Sequence, residues 1–279
     1  MTHPSIPAPS SVPASDLRPP AAAHFPQPAP RETLATQLRA SGYAVLAPDT
    51  LGALVGHAPR ELDATLHPFW RDLPADAHLK DGGRYRHRRH GCYVQQLAQS
   101  GAPLEAQPHR AHWQPTTYNA LHGGIERWFE PLDAAMAASA AWRDLVAALG
   151  LLFAQAAARR PEAWFIEAHP FRIDTRDGVG RPTPEGAHRD GVDYVAVLLV
   201  ERHGVRGGET RVFEADGPHG VRFTLDAPWS ALLLDDARVI HESTPIQPLV
   251  DGQVGGQSEG WRDTLVLTYR AGGFQAPPG

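Results

Sequence analysis

The sequence predicts a mostly β fold with flanking helices, built as a sandwich or a double-sheet jelly roll. Two observations carry this. After Pro161 the chain breaks into short β-branched or aromatic runs separated by Gly, Pro and Asp clusters, and many short strands with frequent turns suit such an architecture. Before Pro161 lies one long Ala- and Leu-rich segment, Asp133–Arg159, with Trp142, Leu145, Val146, Leu149, Leu152 and Phe153 at helical spacing. That is the pattern of a helix laid against a sheet.

Bulk properties narrow the function classes. The hydrophobic fraction of 42% supports a sizeable core, and the net charge of −5 argues against a broad nucleic-acid footprint. The single cysteine, Cys92, excludes an intrachain disulfide framework and Cys-rich zinc sites. It reads as a small buried hydrophobe. No run of 18 apolar residues suggests a membrane span, and no basic-then-apolar leader suggests secretion, so a cytoplasmic location is expected.

In chain order, residues 1–30 form a Pro/Ala/Ser tract, expected to be a disordered tail ahead of a single domain over 31–279. Arg31–Ser41 carries Leu34 and Leu38 at helical spacing and stops at Ser41-Gly42. Tyr43–Leu46 reads as a strand, and Pro59–His67 as a helix with Pro59 in its first turn. The basic run Arg84–His90 reads mainly as a solvated face, with Arg84 or Arg86 turned inward toward an anionic group. The spacing of His87, His90 and His109 matches no zinc pattern. His109–Leu132 reads as a turn, a Gly-Gly bend and an aromatic strand; Gly150 predicts a bend in the long helix. Strands follow at Ala163–Asp174, Tyr194–Glu201, Glu209–Phe213, Val221–Leu225, Ser230–Leu234, Arg238–Ser243 and Asp263–Tyr269. No Gly-rich phosphate loop, Gly-x-Ser-x-Gly elbow or solenoid repeat is present.

The polar turn Gly186–Asp190 holds His188 and Asp190 two residues apart at the mouth of an apolar strand. Extended residues two apart share a face, so both side chains can address one point. His241, on a later strand, supplies a third donor. Two His and one carboxylate on one face suit non-haem Fe(II) oxygen chemistry. Arg262 and Thr264 follow on one face of the last strand, where a guanidinium fork and a hydroxyl can hold a carboxylate.

With these residues the chain resembles the 2-oxoglutarate and Fe(II)-dependent dioxygenases, and more narrowly the bacterial amino-acid hydroxylases typified by L-isoleucine dioxygenase. The resemblance spans roughly 31–272 and rests on Tyr118-Asn119 with Gly123-Gly124, His169 and Arg172 in His-Pro-Phe-Arg-Ile, His188-Arg-Asp190, Gly207-Gly208-Glu209, Leu233-Leu234-Asp235-Asp236, His241 through Pro245, and Arg262-Asp263. The Gly/Gln-rich loop at 251–260 is longer than the pattern. The resemblance implies a double-stranded β-helix (jelly roll), with Fe(II) on His188, Asp190 and His241 and 2-oxoglutarate on Arg262 and Thr264. It further implies O₂ as oxidant, and hydroxylation of an aliphatic C–H of a free amino acid or similar small molecule with release of succinate and CO₂. Arg172, His169, Arg84, Arg86 and Tyr118 are the candidate substrate contacts. Asp235-Asp236 reads as a structural turn. Two other classes share these residues: a catalytically silent jelly-roll binding module, and a zinc hydrolase using the same trio. Arg262 favours the dioxygenase, because a hydrolase has no need of a carboxylate clamp.

Overall fold

The computed structural model describes residues 26–119, 121–249 and 259–277. Most of the N-terminal tract and of the 251–260 loop therefore lies outside the described residues. Ala29, within the expected tail, is buried and its N–H pairs with the Val45 carbonyl at 2.9 Å. Packing thus begins slightly ahead of the expected boundary at 31.

The N-terminal part is helical. After a 3-10 turn come α1 (Leu34–Ser41), the strand β1 (Tyr43–Leu46), α2 (Pro48–Val55) and α3 (Pro59–Leu66). Gly42 ends α1 in the left-handed region, with its N–H on the Leu38 carbonyl at 2.9 Å. Sequence reading misses α2, a short helix with Gly52 in its interior. Gly52 stands there because a Cβ would meet the His57 carbonyl at 2.8 Å. The basic run forms β2 (Arg86–Arg88), followed by β3 (Gly91–Gln95) and β4 (Leu104–Ala106).

The predicted long helix is two: α4 (Ala134–Ala138) and α5 (Ala140–Ala156). Ser139 separates them with extended backbone (ψ 142°) and caps α5 by accepting the Trp142 N–H at 3.3 Å. Gly150 does not break α5, which runs unbroken through it. It leaves room for the Gln95 side chain, and its carbonyl accepts the Trp164 indole N–H at 2.8 Å. The expected aromatic strand before α4 is irregular chain with an isolated His112–Arg127 bridge. Its period-2 burial fails beyond Phe129, and Trp128 is 56% exposed.

The strand-rich half follows the sequence pattern: β5 (Trp164–Asp174), β6 (Tyr194–His203), β7 (Val205–Gly207), β8 (Thr210–Glu214), β9 (Gly220–Phe223), β10 (Ala231–Asp235), β11 (Val239–Ser243), β12 (Ile246–Pro248) and β13 (Trp261–Arg270). The large antiparallel sheet runs β1-β10-β6-β13-β5-β3-β4, with β2 also on β5; β11-β8-β9 and β12-β7 form smaller sheets. This is the expected jelly roll. One face of the large sheet packs on the helices through Leu145, Leu149, Phe153, Ile166, Leu198, Leu265 and Leu267. The other faces the smaller sheets through Val195, Leu199, Val212, Leu232 and Val239. Gly207 (φ +81°) makes the tight passage from β7 toward β8, where a Cβ would strike the Pro245 carbonyl.

No helix among the described residues is long and apolar enough to cross a membrane. Packing makes a sharp contrast within α5. Leu149 is fully buried whereas Leu151 is 38% exposed. Leu149→Ala is expected to lose about 2–5 kcal/mol in chemical denaturation and Leu151→Ala less than about 1 kcal/mol.

Candidate functional site

A single backbone pairing organises the site. His188 and His241 exchange both N–H···O bonds, at 3.0 and 2.9 Å, in an isolated antiparallel bridge. Their imidazoles therefore lie side by side, with centroids 4.6 Å apart. Asp190 enters from the same turn, with one carboxylate oxygen 3.9 Å from His188 Nε2 and the other 3.8 Å from His241 Nε2. These separations are too long for hydrogen bonds. They fit three donors around one cation held at roughly 2.0–2.2 Å from each. The candidate donor atoms of all three residues lie within 4.8 Å of one another.

Neighbouring groups fix two of the donors, His188 and Asp190. His188 Nδ1 donates to the Gly186 carbonyl at 3.0 Å, which leaves Nε2 as the free donor atom. Burial lowers the His188 pKa, but the Asp190 and Glu185 carboxylates outweigh it and the net shift is upward. Burial, with His188 beside it, holds His241 well below the ordinary histidine range. The Asp190 turn hangs on Asp236, whose carboxylate accepts the backbone N–H groups of Asp190, Gly191 and Val192 at 2.9, 2.8 and 3.1 Å. Burial and the nearby Asp190 charge push Asp236 up to about 7 against those three donors. Gln114 Nε2 donates to Asp190 at 3.2 Å, and Gln114 Oε1 accepts from Arg127 at 2.8 Å.

The trio opens on a cavity of about 120 Å³. Alternation along β13 sends Arg262, Thr264, Val266 and Thr268 into it, while Leu265, Leu267 and Tyr269 face the helices. Arg262 is 3% exposed, and its Nε and Nη2 have no hydrogen-bond partner among the described residues. Burial and Arg202 push its pKa down to about 10. A buried guanidinium without a partner costs several kcal/mol and so calls for an anion. Thr264 stands beside it as the predicted hydroxyl.

β5 and β2 complete the wall. His169 and Phe171 face the cavity from mid-β5, and Arg86 and Arg88 face it from β2. Arg88 lies between two rings, 3.8 Å from the Phe129 centroid and 4.3 Å from that of Phe171. Its Nη2 meets His169 Nδ1 at 2.6 Å. Behind it, His90, His112, Glu167 and His169 make a second buried group of potential donors. There Glu167 already accepts from His90 at 3.1 Å and from His112 at 3.2 Å. Burial pushes His112 down to about 4. With the Arg88 cation against His169, this second group is a hydrogen-bonded support for the wall rather than a cation site.

The structure brings together His188, Asp190, His241, Arg262, Thr264, His169 and Arg86 on one cavity. Three expected substrate contacts fall elsewhere. Arg84 is exposed and pairs with Asp177 at 3.1 Å. Arg172 points to the opposite face of β5, where a bidentate pair with Asp263, at 2.8 and 2.6 Å, occupies its fork. Tyr118 packs where a Cβ on Gly191 would stand, beneath the Asp190 turn, and lines a different hollow with Trp113 and Phe274. Sequence reading missed Arg88, Arg127, Gln114 and Glu185, all on the cavity wall. The available signal was parity: Arg88 shares the inward face with Arg86, opposite Phe171 and Ile173 of β5.

The model of one family, 2OG-Fe dioxygenase, matches residues 67–268. Among solved structures, a bsmA homolog from Methylobium petroleophilum PM1 is 59% identical, with 90% of this chain and 97% of that chain covered and a TM-score of 0.82. The IDO from Bacillus thuringiensis is 15% identical over 87% of this chain and 96% of that one, with a TM-score of 0.68. The Fe(II)/α-ketoglutarate-dependent dioxygenase TqaL is 18% identical over 86% and 87%, with a TM-score of 0.64. The last two show a shared fold. No curated protein matches this chain.

His188→Ala and His241→Ala are expected to abolish binding of one Mn(II) per chain, read as free Mn(II) by electron paramagnetic resonance. Asp236→Ala, which frees the Asp190 turn, is expected to weaken that binding about 10–100-fold.

Proposed function

The chain belongs to the 2OG-Fe dioxygenase family, and from that premise we propose that it hydroxylates an aliphatic C–H of a free amino acid or similar small molecule, forming succinate and CO₂. Iron(II), 2-oxoglutarate and O₂ are the cofactor and co-substrates of the family. The observation that carries the proposal is Arg262: a buried guanidinium whose Nε and Nη2 have no partner among the described residues, on the same cavity as His188, Asp190 and His241.

The residues fit these groups. His188, Asp190 and His241 would hold iron(II), since two neutral imidazole donors and one carboxylate on one side leave the other side accessible. Arg262 with Thr264 would hold the distal carboxylate of 2-oxoglutarate, satisfying donors that the protein leaves unmet. When bound, these groups supply the oxidation of an unactivated C–H bond coupled to decarboxylation of the co-substrate. The chain orients and encloses. Gln114 and the Asp236 clasp hold the Asp190 carboxylate in place. Val266 and Phe171 give the wall an apolar portion.

The test is anaerobic. Iron(II) and then 2-oxoglutarate are added to metal-free protein, and a weak visible charge-transfer band is expected only with both. Succinate release is then screened across amino acids. A folded, iron-loaded protein that gives no band would remove the co-substrate from this reading. Asp190→Ala is expected to lose turnover, and Arg262→Met to raise the 2-oxoglutarate KM about 100-fold, the effect of losing a buried charge-assisted contact.

A further inference from the structure

The turn that carries Asp190 is held from a second side. Beyond the end of β13 the chain turns at Gly272 and Gly273, whose φ values of +78° and +122° suit a residue without a Cβ. Phe274 then packs edge-on against Phe165, with ring centroids 5.2 Å apart, and lies under the Arg110 guanidinium at 4.3 Å. Arg110 Nη2 donates to the Gln275 carbonyl at 3.1 Å, and Arg270 Nη1 to that of Gly273 at 2.6 Å. So anchored, Gln275 lays its carboxamide on the Asp190 turn. Its Nε2 donates to the Asp190 carbonyl at 3.0 Å and to the Gly191 carbonyl at 2.7 Å. Gln275 lies past residue 268, where the match to the family model ends.

These contacts complete a set that Asp236 begins. The peptide plane between Asp190 and Gly191 has its N–H on the Asp236 carboxylate and its C=O on Gln275. The next plane, between Gly191 and Val192, is held in the same way at both ends. A plane held at one end can still swing about its Cα–Cα axis, and a flanking glycine raises little steric barrier to that. A plane held at both ends cannot. Gly191 is such a flank, at φ +76°, with the Tyr118 ring where its Cβ would stand. The direction of the Asp190 side chain follows from the planes that flank its Cα. Serving two carbonyls at once takes a group with two N–H bonds, which a primary amide has and a carboxylate lacks.

Resting on the dioxygenase reading above, we infer that Gln275 is a positioning residue for the metal-holding carboxylate. From a segment outside the sheets it fixes the backbone of Asp190 opposite the Asp236 clasp, and its two N–H groups set the aim of that carboxylate at the cation. Gln275 itself touches neither cation nor substrate. The donor set thus depends on the segment after β13 as well as on the jelly roll.

The experiment is titration of the metal-free full chain with Mn(II), read as free ion by electron paramagnetic resonance, with the line shape of the bound ion recorded alongside. Gln275→Glu keeps the length of the side chain and removes both donors. Gln275→Met does the same without adding charge, and stands in if the first variant fails to fold. Each is expected to weaken Mn(II) about 3–10-fold, the effect of one or two ordinary hydrogen bonds. Each is also expected to alter the line shape of the bound ion and to leave the denaturation midpoint of the metal-free protein unchanged. Gln275→Met combined with Asp236→Ala is expected to lose less than the product of the two single losses, because either change alone frees the same two planes. Unchanged Mn(II) affinity in both single variants overturns the inference. So does a loss of affinity with an unaltered line shape, since the donor geometry would then be intact. Losses that multiply in full overturn the two-ended hold. Unaltered protein that binds no Mn(II) overturns the metal reading itself, and this inference with it.

Discussion

Burial of the large sheet on both faces is the constraint from which the rest follows. Strands β5, β6 and β13 have helices on one side and the smaller sheets on the other, so alternate residues meet different surroundings. On β13 the split is clean: Leu265, Leu267 and Tyr269 join the helix-side core, while Arg262, Thr264 and Thr268 face the cavity. The apolar half supplies the stability that permits the other half to be polar. A chain this long can carry a few unmet charges because one helix-side core cluster draws on residues from Ala29 to Tyr269.

The three candidate metal-holding side chains are set by backbone more than by each other. The His188–His241 bridge fixes two of them through main-chain bonds, and Asp236 fixes the third by gripping three consecutive amides. None of the three donors therefore depends on a long, flexible side chain for its position. Gln114 then ties Asp190 to Arg127, so the donor set and the basic wall share one hydrogen-bonded chain.

Much of this was legible in the sequence. The strands from β5 onward with β-branched runs bounded by Gly, Pro or Asp stood out, whereas β7 and β12, each with a Gly or Pro among three residues, did not. The trio and Arg262 were legible because spacing and strand parity placed them together. Arg88 was not. Inside a run of basic residues strand parity groups Arg84, Arg86 and Arg88 on one face but does not say which face is inward, and buried arginines are uncommon. Its face is decided by pairing with Phe171, about eighty residues away in sequence. Arg172 misled for the same reason: its fork is filled by Asp263, its cross-strand neighbour on β13.

The unmet guanidinium of Arg262 has a consequence beyond chemistry. An anion that answers it binds the folded chain and not the unfolded one, so mass action adds its binding free energy to folding. At a hundredfold excess over Kd that is about 2.7 kcal/mol, a large share of a typical domain's stability. On the proposed role of Arg262, the chain's resistance to unfolding and proteolysis is tied to the concentration of a small carboxylate around it, and supply of that metabolite becomes a determinant of how much of the protein persists.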